Sequence, residues 1–131
     1  MATVSGGCLC RQVRYEATLP SAPTASYCHC RMCQQSMASP VGMFTGVPEG
    51  SFKWTAGTAK AYQSSTHCQR FFCPNCGSQL TFKDAGSREV DLAMVTLDDP
   101  AQITPDRHIY YESRIPWFET RDDLPRFDNA S

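Results

Sequence analysis

Seven of the eight cysteines in this chain fall into three short groups, and the spacing within those groups sets the chemistry available to it. Cys8 and Cys10 form C-x-C. Cys28, Cys30 and Cys33 form C-x-C-x-x-C. Cys73 and Cys76 form C-x-x-C, followed at once by Gly77, and Cys68 stands alone. Cys73-Pro74-Asn75-Cys76-Gly77 has the arrangement of a zinc knuckle. A tight turn at Pro-Asn lets two thiolates converge on one metal, and Gly77 supplies a permissive backbone after them. A thioredoxin-like redox pair also uses C-x-x-C, but there the motif opens a helix whose N-terminus lowers the thiol pKa. Here Gln79-Leu80-Thr81-Phe82 has strand character, which favours the metal over the redox pair.

A structural zinc takes four ligands, and a knuckle offers two. Cys8 and Cys10 can supply the others. Alternate residues of an extended chain point the same way with Cα atoms roughly 6.6–7 Å apart, and a bend around Gly6, Gly7 and Leu9 would narrow that gap. The expected first site is therefore Cys8, Cys10, Cys73 and Cys76. Four thiolates leave no open coordination position, so its role is structural.

Cys28, Cys30 and Cys33 place three thiolates within six residues. They lie too close together to pair sensibly as disulfides with one another, yet they can cap one face of a metal. Zinc with three protein ligands keeps a fourth position for water or substrate, as catalytic sites do. The competing reading is a closed site whose fourth ligand is Cys68, with His67 and His29 as further donors; spacing alone does not separate the two. His29 and Arg31, between and beside the ligands, can stabilise thiolates or orient an anion. His108 reads as a hydrogen-bonded structural histidine. Ser64 and Ser65 have no general base beside them and do not read as nucleophiles.

The elements that must carry these groups are mostly strands. The chain has 131 residues, enough for one domain with its own core, so residues 1–131 read as a single zinc-binding domain. Period-two alternation marks strands at 11–16, 41–45, 60–63, 70–72, 79–83 and 89–96, punctuated by Gly and Pro. Only residues 30–37 suggest a helical turn or two. From about residue 98 the chain is rich in Pro and Asp with interspersed aromatics, and reads as an extended C-terminal segment, 98–131, wrapping the domain. The expected class is mostly β: several small antiparallel sheets held by zinc.

A net charge of −1 provides no basic excess to neutralise a phosphate backbone, so nucleic acid is not the expected partner. No stretch is apolar for long enough to span a bilayer, so neither is a membrane. Met1 is not followed by a charged and then apolar leader, which points to the cytoplasm. Reduced compartments keep thiols free, and short cysteine spacings there suggest metal rather than disulfides.

In this order along the chain, three stretches resemble the glutathione-dependent formaldehyde-activating enzyme family, which includes centromere protein V. They are Gly6-Gly7-Cys8-Leu9-Cys10 followed by Val13-Arg14-Tyr15; Cys28-His29-Cys30-Arg31-Met32-Cys33; and Arg70-Phe71-Phe72-Cys73-Pro74-Asn75-Cys76-Gly77-Ser78-Gln79-Leu80. His108-Ile109 and Pro116-Trp117 resemble its tail. The resemblance implies a tent-like arrangement of small sheets. It implies a structural zinc at Cys8, Cys10, Cys73 and Cys76, and a second, labile or catalytic zinc at Cys28, Cys30 and Cys33. It implies carbon–sulfur lyase chemistry of the S-(hydroxymethyl)glutathione synthase type, joining a thiol such as glutathione to formaldehyde or another small aldehyde. The alternatives are a non-catalytic zinc module that binds a protein partner or a small thiol, and a zinc-handling protein with a labile second site.

Overall fold

The computed structural model describes residues 2–130. Ten strands, one α-helix and short 3-10 turns follow one another along the chain. The strands are β1 (Ala2–Gly7), β2 (Arg14–Leu19), β3 (Ala25–Cys28), β4 (Gly42–Pro48), β5 (Lys53–Ala56), β6 (Lys60–Gln63), β7 (Cys68–Phe72), β8 (Gln79–Asp84), β9 (Glu89–Ala93) and β10 (Arg107–Ile109). The helix, α1 (Arg31–Met37), lies between β3 and β4. The strands form two sheets, one of three in the order β1-β2-β5 and one of seven in the order β10-β3-β4-β9-β8-β7-β6. Among the described residues no helix is long and apolar enough to cross a membrane.

Alternation decides which face each strand buries. In β2 every second residue, Tyr15, Ala17 and Leu19, is buried, as period two requires when one face meets a core. They join Val4 of β1 against Val47, Leu80, Val90 and Leu92 of the larger sheet, so the core lies between the sheets. The phenol of Tyr15, 1% exposed, meets the hydroxyl of Thr96 at 2.7 Å. Burial pushes its pKa up to about 12. Gly57, after β5, has a φ of +69°, and a Cβ there would lie 2.1 Å from the carbonyl oxygen of Gln12. Only glycine lets this turn close over the loop that carries Cys8 and Cys10.

The opposite face of the seven-stranded sheet looks into a cavity. Gly46 pairs with Asp91, Asp91 with Phe82, Phe82 with Arg70 and Arg70 with Tyr62, forming one row across five strands. Cys28, Phe44, Phe82, Asp91, Cys68 and Arg70 all line that cavity.

The mostly β architecture agrees with the alternation, but several boundaries differ from the expected ones. The stretch expected at 11–16 becomes a turn followed by β2, because Arg11 takes a left-handed φ of 69° and residues 8–13 fold back on themselves. The strand expected at 89–96 ends at Ala93, where Met94–Thr96 tightens into a 3-10 turn. Within the tail, β10 pairs in parallel with β3, and Arg126 bridges to His108 beyond it. The tail thus adds β10 and a bridge to the edge of a sheet whose other strand pairs are antiparallel, as expected.

Candidate metal centres

The first group of sulfurs is built by two turns facing each other. After β1, the Cys8 N–H donates to the Val13 carbonyl and the Arg11 N–H to the Cys8 carbonyl, both at 3.1 Å. That turn brings the Cys8 and Cys10 sulfurs to 3.6 Å, much closer than an extended chain would hold them. Opposite, the Gly77 N–H donates to the Cys73 carbonyl at 2.9 Å, and Gly77 itself takes a φ of +81°. The N–H groups of Asn75 and Cys76 point at the Cys73 sulfur at 3.3 and 3.4 Å, and that of Val13 points at the Cys8 sulfur at 3.3 Å. Ser78 joins the halves: its hydroxyl accepts from the Leu9 N–H and meets the Cys76 sulfur at 3.2 Å. That hydroxyl, with backbone donors from Ser78 and Cys10, brings the Cys76 thiol down to about 5.

All four sulfurs of Cys8, Cys10, Cys73 and Cys76 lie within 4.8 Å of one another. Cys10 and Cys73 are 3.7 Å apart. A tetrahedral ion with metal–sulfur bonds of about 2.3 Å needs sulfur–sulfur edges of roughly 3.8 Å. The spacing therefore fits such an ion, and N–H groups aimed at sulfur stabilise the thiolate form that binds it.

The second group sits where β3 gives way to α1. Cys28 ends the strand. Cys30 is the N-cap of the helix, and its sulfur accepts from the Cys33 N–H at 3.3 Å. The sulfurs of Cys28, Cys30 and Cys33 also lie within 4.8 Å of one another. Thiol hydrogen bonds from Cys28 and Cys33 hold the Cys30 pKa well below the usual thiol range, while the same bond to Cys30 pushes Cys28 far up. One negative charge is thus readily held among the three sulfurs, and a second or third calls for a cation. This group too can hold a metal ion.

Behind the second group lies a buried polar chain. His29 alternates away from the sulfurs of Cys28 and Cys30, and its Nε2 meets His108 Nδ1 at 2.8 Å. His108 Nε2 reaches the Asp122 carboxylate at 3.1 Å, and Arg126 pairs with the same carboxylate. Burial, reinforced by the charges of His108, Arg114 and Arg126, lowers the His29 pKa to about 4. Its ring is therefore neutral near pH 7. The Gln34 side chain donates to the His29 carbonyl at 2.8 Å. The peptide between the first two sulfurs is fixed from both sides, so the tail helps to position the group.

The cavity beside the second group has a volume of about 590 Å³. Its wall carries all three sulfurs. Cys68 is in the same wall, but it does not belong to the set of mutually close sulfurs. Ser64 and Ser65 line the cavity near Cys68, each with its backbone N–H on the Cys68 carbonyl. Arg31 is exposed and donates to the Gln34 side chain at 2.7 Å. His108 is a fully buried, hydrogen-bonded structural histidine. The strand that follows the knuckle is β8, so Cys73 and Cys76 do not open a helix.

Two cavity residues were not singled out from the sequence. Arg70 and Asp91 are each a charged residue in the middle of a strand, as in Val90-Asp91-Leu92. A charge at an inward-facing strand position was the available signal. Burial, then the nearby Glu89, raises the Asp91 pKa to about 6, with Lys83 acting against them and Asp84 adding to the rise. The folded state thus holds the Asp91 proton more tightly than the unfolded chain. The resulting stability is fully present below about pH 4 and is lost as pH rises through 6. Asp91→Asn is accordingly expected to gain more stability relative to wild type at pH 7.5 than at pH 4.5. The gain is on the order of 2 kcal/mol. Paired melts at the two pH values check this; acid loss of metal affects both proteins alike and cancels in the comparison.

Comparison with known proteins follows the same lines. The model of the family described as glutathione-dependent formaldehyde-activating enzyme matches residues 3–113. An uncharacterized lyase of Schizosaccharomyces pombe is 34% identical over 82 residues, 63% of this chain and 58% of that protein. The aligned part thus spans little more than half of that relative's length. A crystal structure of a Rhodobacter sphaeroides protein superposes with a TM-score of 0.64 at 17% identity, covering 93% of this chain and 98% of that one, which places the two in the same fold.

Proposed function

Because this chain belongs to the glutathione-dependent formaldehyde-activating enzyme family, we propose that it is a zinc-dependent carbon–sulfur lyase joining a thiol, glutathione or a close analogue, to a small aldehyde. The observation that carries the reading is the three-sulfur group in the wall of a 590 Å³ cavity, with Cys68 outside the set. Cys28, Cys30 and Cys33 would hold the working zinc, and Cys8, Cys10, Cys73 and Cys76 a structural one. Held by three thiolates, zinc would supply a position at which a thiol is stabilised in its reactive thiolate form.

The chain's own residues do the rest. Cys30 caps α1 while serving as a ligand, so the helix and the site are fixed together. His29 and His108 hold the Cys28–Cys30 peptide in place. Phe44 and Phe82 give the cavity apolar wall, which limits competing water around a small aldehyde. In the net reaction the thiol gives up its proton, a carbon–sulfur bond forms, and the carbonyl π electrons move to oxygen, which is then protonated. Three thiolates blunt a metal's acidity, so capture of the thiol is favoured over polarisation of the carbonyl. A concave cavity beside Cys28 also favours an enzyme over a partner-binding module, for which flat apolar surface would serve. The free, grouped cysteines suit a reducing compartment such as the cytoplasm.

Exchange NMR with glutathione and formaldehyde tests the reading. Exchange between free and hydroxymethylated thiol should run at least tenfold faster with the zinc-loaded protein than without it. An unchanged exchange rate counts against the assignment.

A further inference from the structure

Arg70 presents an unusual electrostatic situation. It is 6% exposed, on the cavity face of β7, with its guanidinium carbon 5.0 Å from the centre of the Phe82 ring. One terminal nitrogen donates to the Ser36 hydroxyl at 3.2 Å. The other donates to the Cys33 sulfur at 3.6 Å. Its Nε is buried without a partner. Among the described residues no carboxylate pairs with it: the ion pairs involve Arg14, Lys53, Lys83, Arg107, His108 and Arg126. A buried cation without an opposite charge is strongly disfavoured. The group it touches that can carry the opposite charge is the Cys33 sulfur; Asp84, Glu89 and Asp91 line the same cavity without pairing with it.

The first group provides the contrast. The donors aimed at its sulfurs are neutral: the backbone N–H groups of Val13, Asn75 and Cys76 and the hydroxyl of Ser78. Among the described residues no arginine or lysine hydrogen-bonds to them, and Arg14, which feels the charge of Cys8, is already paired with Asp98. Three thiolates around a divalent ion leave one net negative charge, and a guanidinium beside Cys33 cancels it. A fourth, incoming thiolate would then meet a locally neutral site instead of an anionic one.

We infer that Arg70 is the counter-charge of the Cys28, Cys30 and Cys33 group, and that it selects an anionic sulfur ligand over a neutral one at the open position. The inference rests on the proposed open metal site. Arg70 is a positioning residue here, because it acts through Cys33 and through the field at the site. When a thiol binds, its proton goes to solvent and its sulfur occupies the fourth position.

The test uses cobalt-loaded protein, whose visible spectrum reports ligands, titrated separately with 2-mercaptoethanol as a thiolate source and imidazole as a neutral ligand. Arg70→Gln should bind 2-mercaptoethanol at least tenfold more weakly than wild type, with imidazole binding changed by less than twofold. Arg70→Lys should recover most of the thiol affinity. Ser36→Ala, which removes a hydroxyl that accepts from Arg70 and donates to the Cys33 carbonyl but leaves Arg70 on the Cys33 sulfur, should stay near wild type. Equal weakening of both ligands, or equal losses in Arg70→Gln and Ser36→Ala, would mean a merely structural role and overturn the inference. If Arg70→Gln does not fold, the outcome rests on Arg70→Lys, which must keep thiol affinity within about threefold of wild type while Ser36→Ala is unchanged. A wild-type site that responds to neither ligand overturns the proposed function and this inference together. A responsive wild type with an equally responsive Arg70→Gln overturns this inference alone.

Discussion

Cys10→Ser is expected to leave the chain largely unfolded at ambient temperature, or to melt at least about 15 °C below wild type. The reason lies in what the first group connects. Cys8 and Cys10 follow the first strand, and Cys73 and Cys76 sit between β7 and β8, so one ion held by all four would tie the three-stranded sheet to the larger one. Metal binding at structural thiolate sites contributes on the order of 10–16 kcal/mol at neutral pH. The whole net stability of a domain is about 5–15 kcal/mol. Losing one of four thiolates therefore removes a large part of what holds the fold. Cys10 is the informative position because it is only partly buried. A serine there sacrifices little packing, whereas Cys73 is fully buried and its replacement would mix cavity and ligand effects. Circular dichroism melts with zinc content measured on the same samples check this. A variant that melts within a few degrees of wild type and retains full zinc would refute the structural assignment of the group.

Cys30→Ser should have the opposite profile: a fold close to wild type, and the protein-catalysed part of thiol–aldehyde exchange reduced by about a thousandfold or more. Cys30 does two things that a serine separates. Its sulfur caps α1 by accepting from the Cys33 N–H, and serine is itself among the preferred N-caps. The helix therefore keeps its first turn. The sulfur also belongs to the three-sulfur group, and a hydroxyl is a far poorer ligand for a thiolate-bound metal. A thousandfold loss is about 4 kcal/mol of transition-state stabilisation, the scale expected when the group that activates the thiol is removed. Cys30→Ala would add the loss of the cap, about 1 kcal/mol of stability. Exchange NMR and melts on both variants separate the roles. Unimpaired exchange in Cys30→Ser would rule out this group as the working site.

Local spacing made some of this arrangement readable, and long-range pairing hid the rest. C-x-x-C followed by glycine specifies a turn whose geometry is set by five residues, so Cys73 and Cys76 could be paired without the fold. Cys30 at the start of α1 was also within reach, because the residues around it have no strand period. The placement of β10 was not. Arg107, His108 and Ile109 are too few to show an alternation, and their partner strand lies some eighty residues earlier. For the same reason the chain from Asp122 through His108 to His29 joins residues that no local pattern relates. Arg70 and Asp91 became significant only when the register put them on the face that meets the cavity. Cys68 was ambiguous because sequence distance says nothing about which way a strand residue points. In the folded chain it shares the wall with the three sulfurs and stays out of their group.

A working site requires an open position, so everything turns on the separation of Cys68 from the three sulfurs. Native mass spectrometry of wild type and Cys68→Ser counts the bound zinc directly. Two zinc ions per chain are expected in both proteins. Two in the wild type and one in Cys68→Ser would mean that Cys68 closes the second site, and would contradict an open position there.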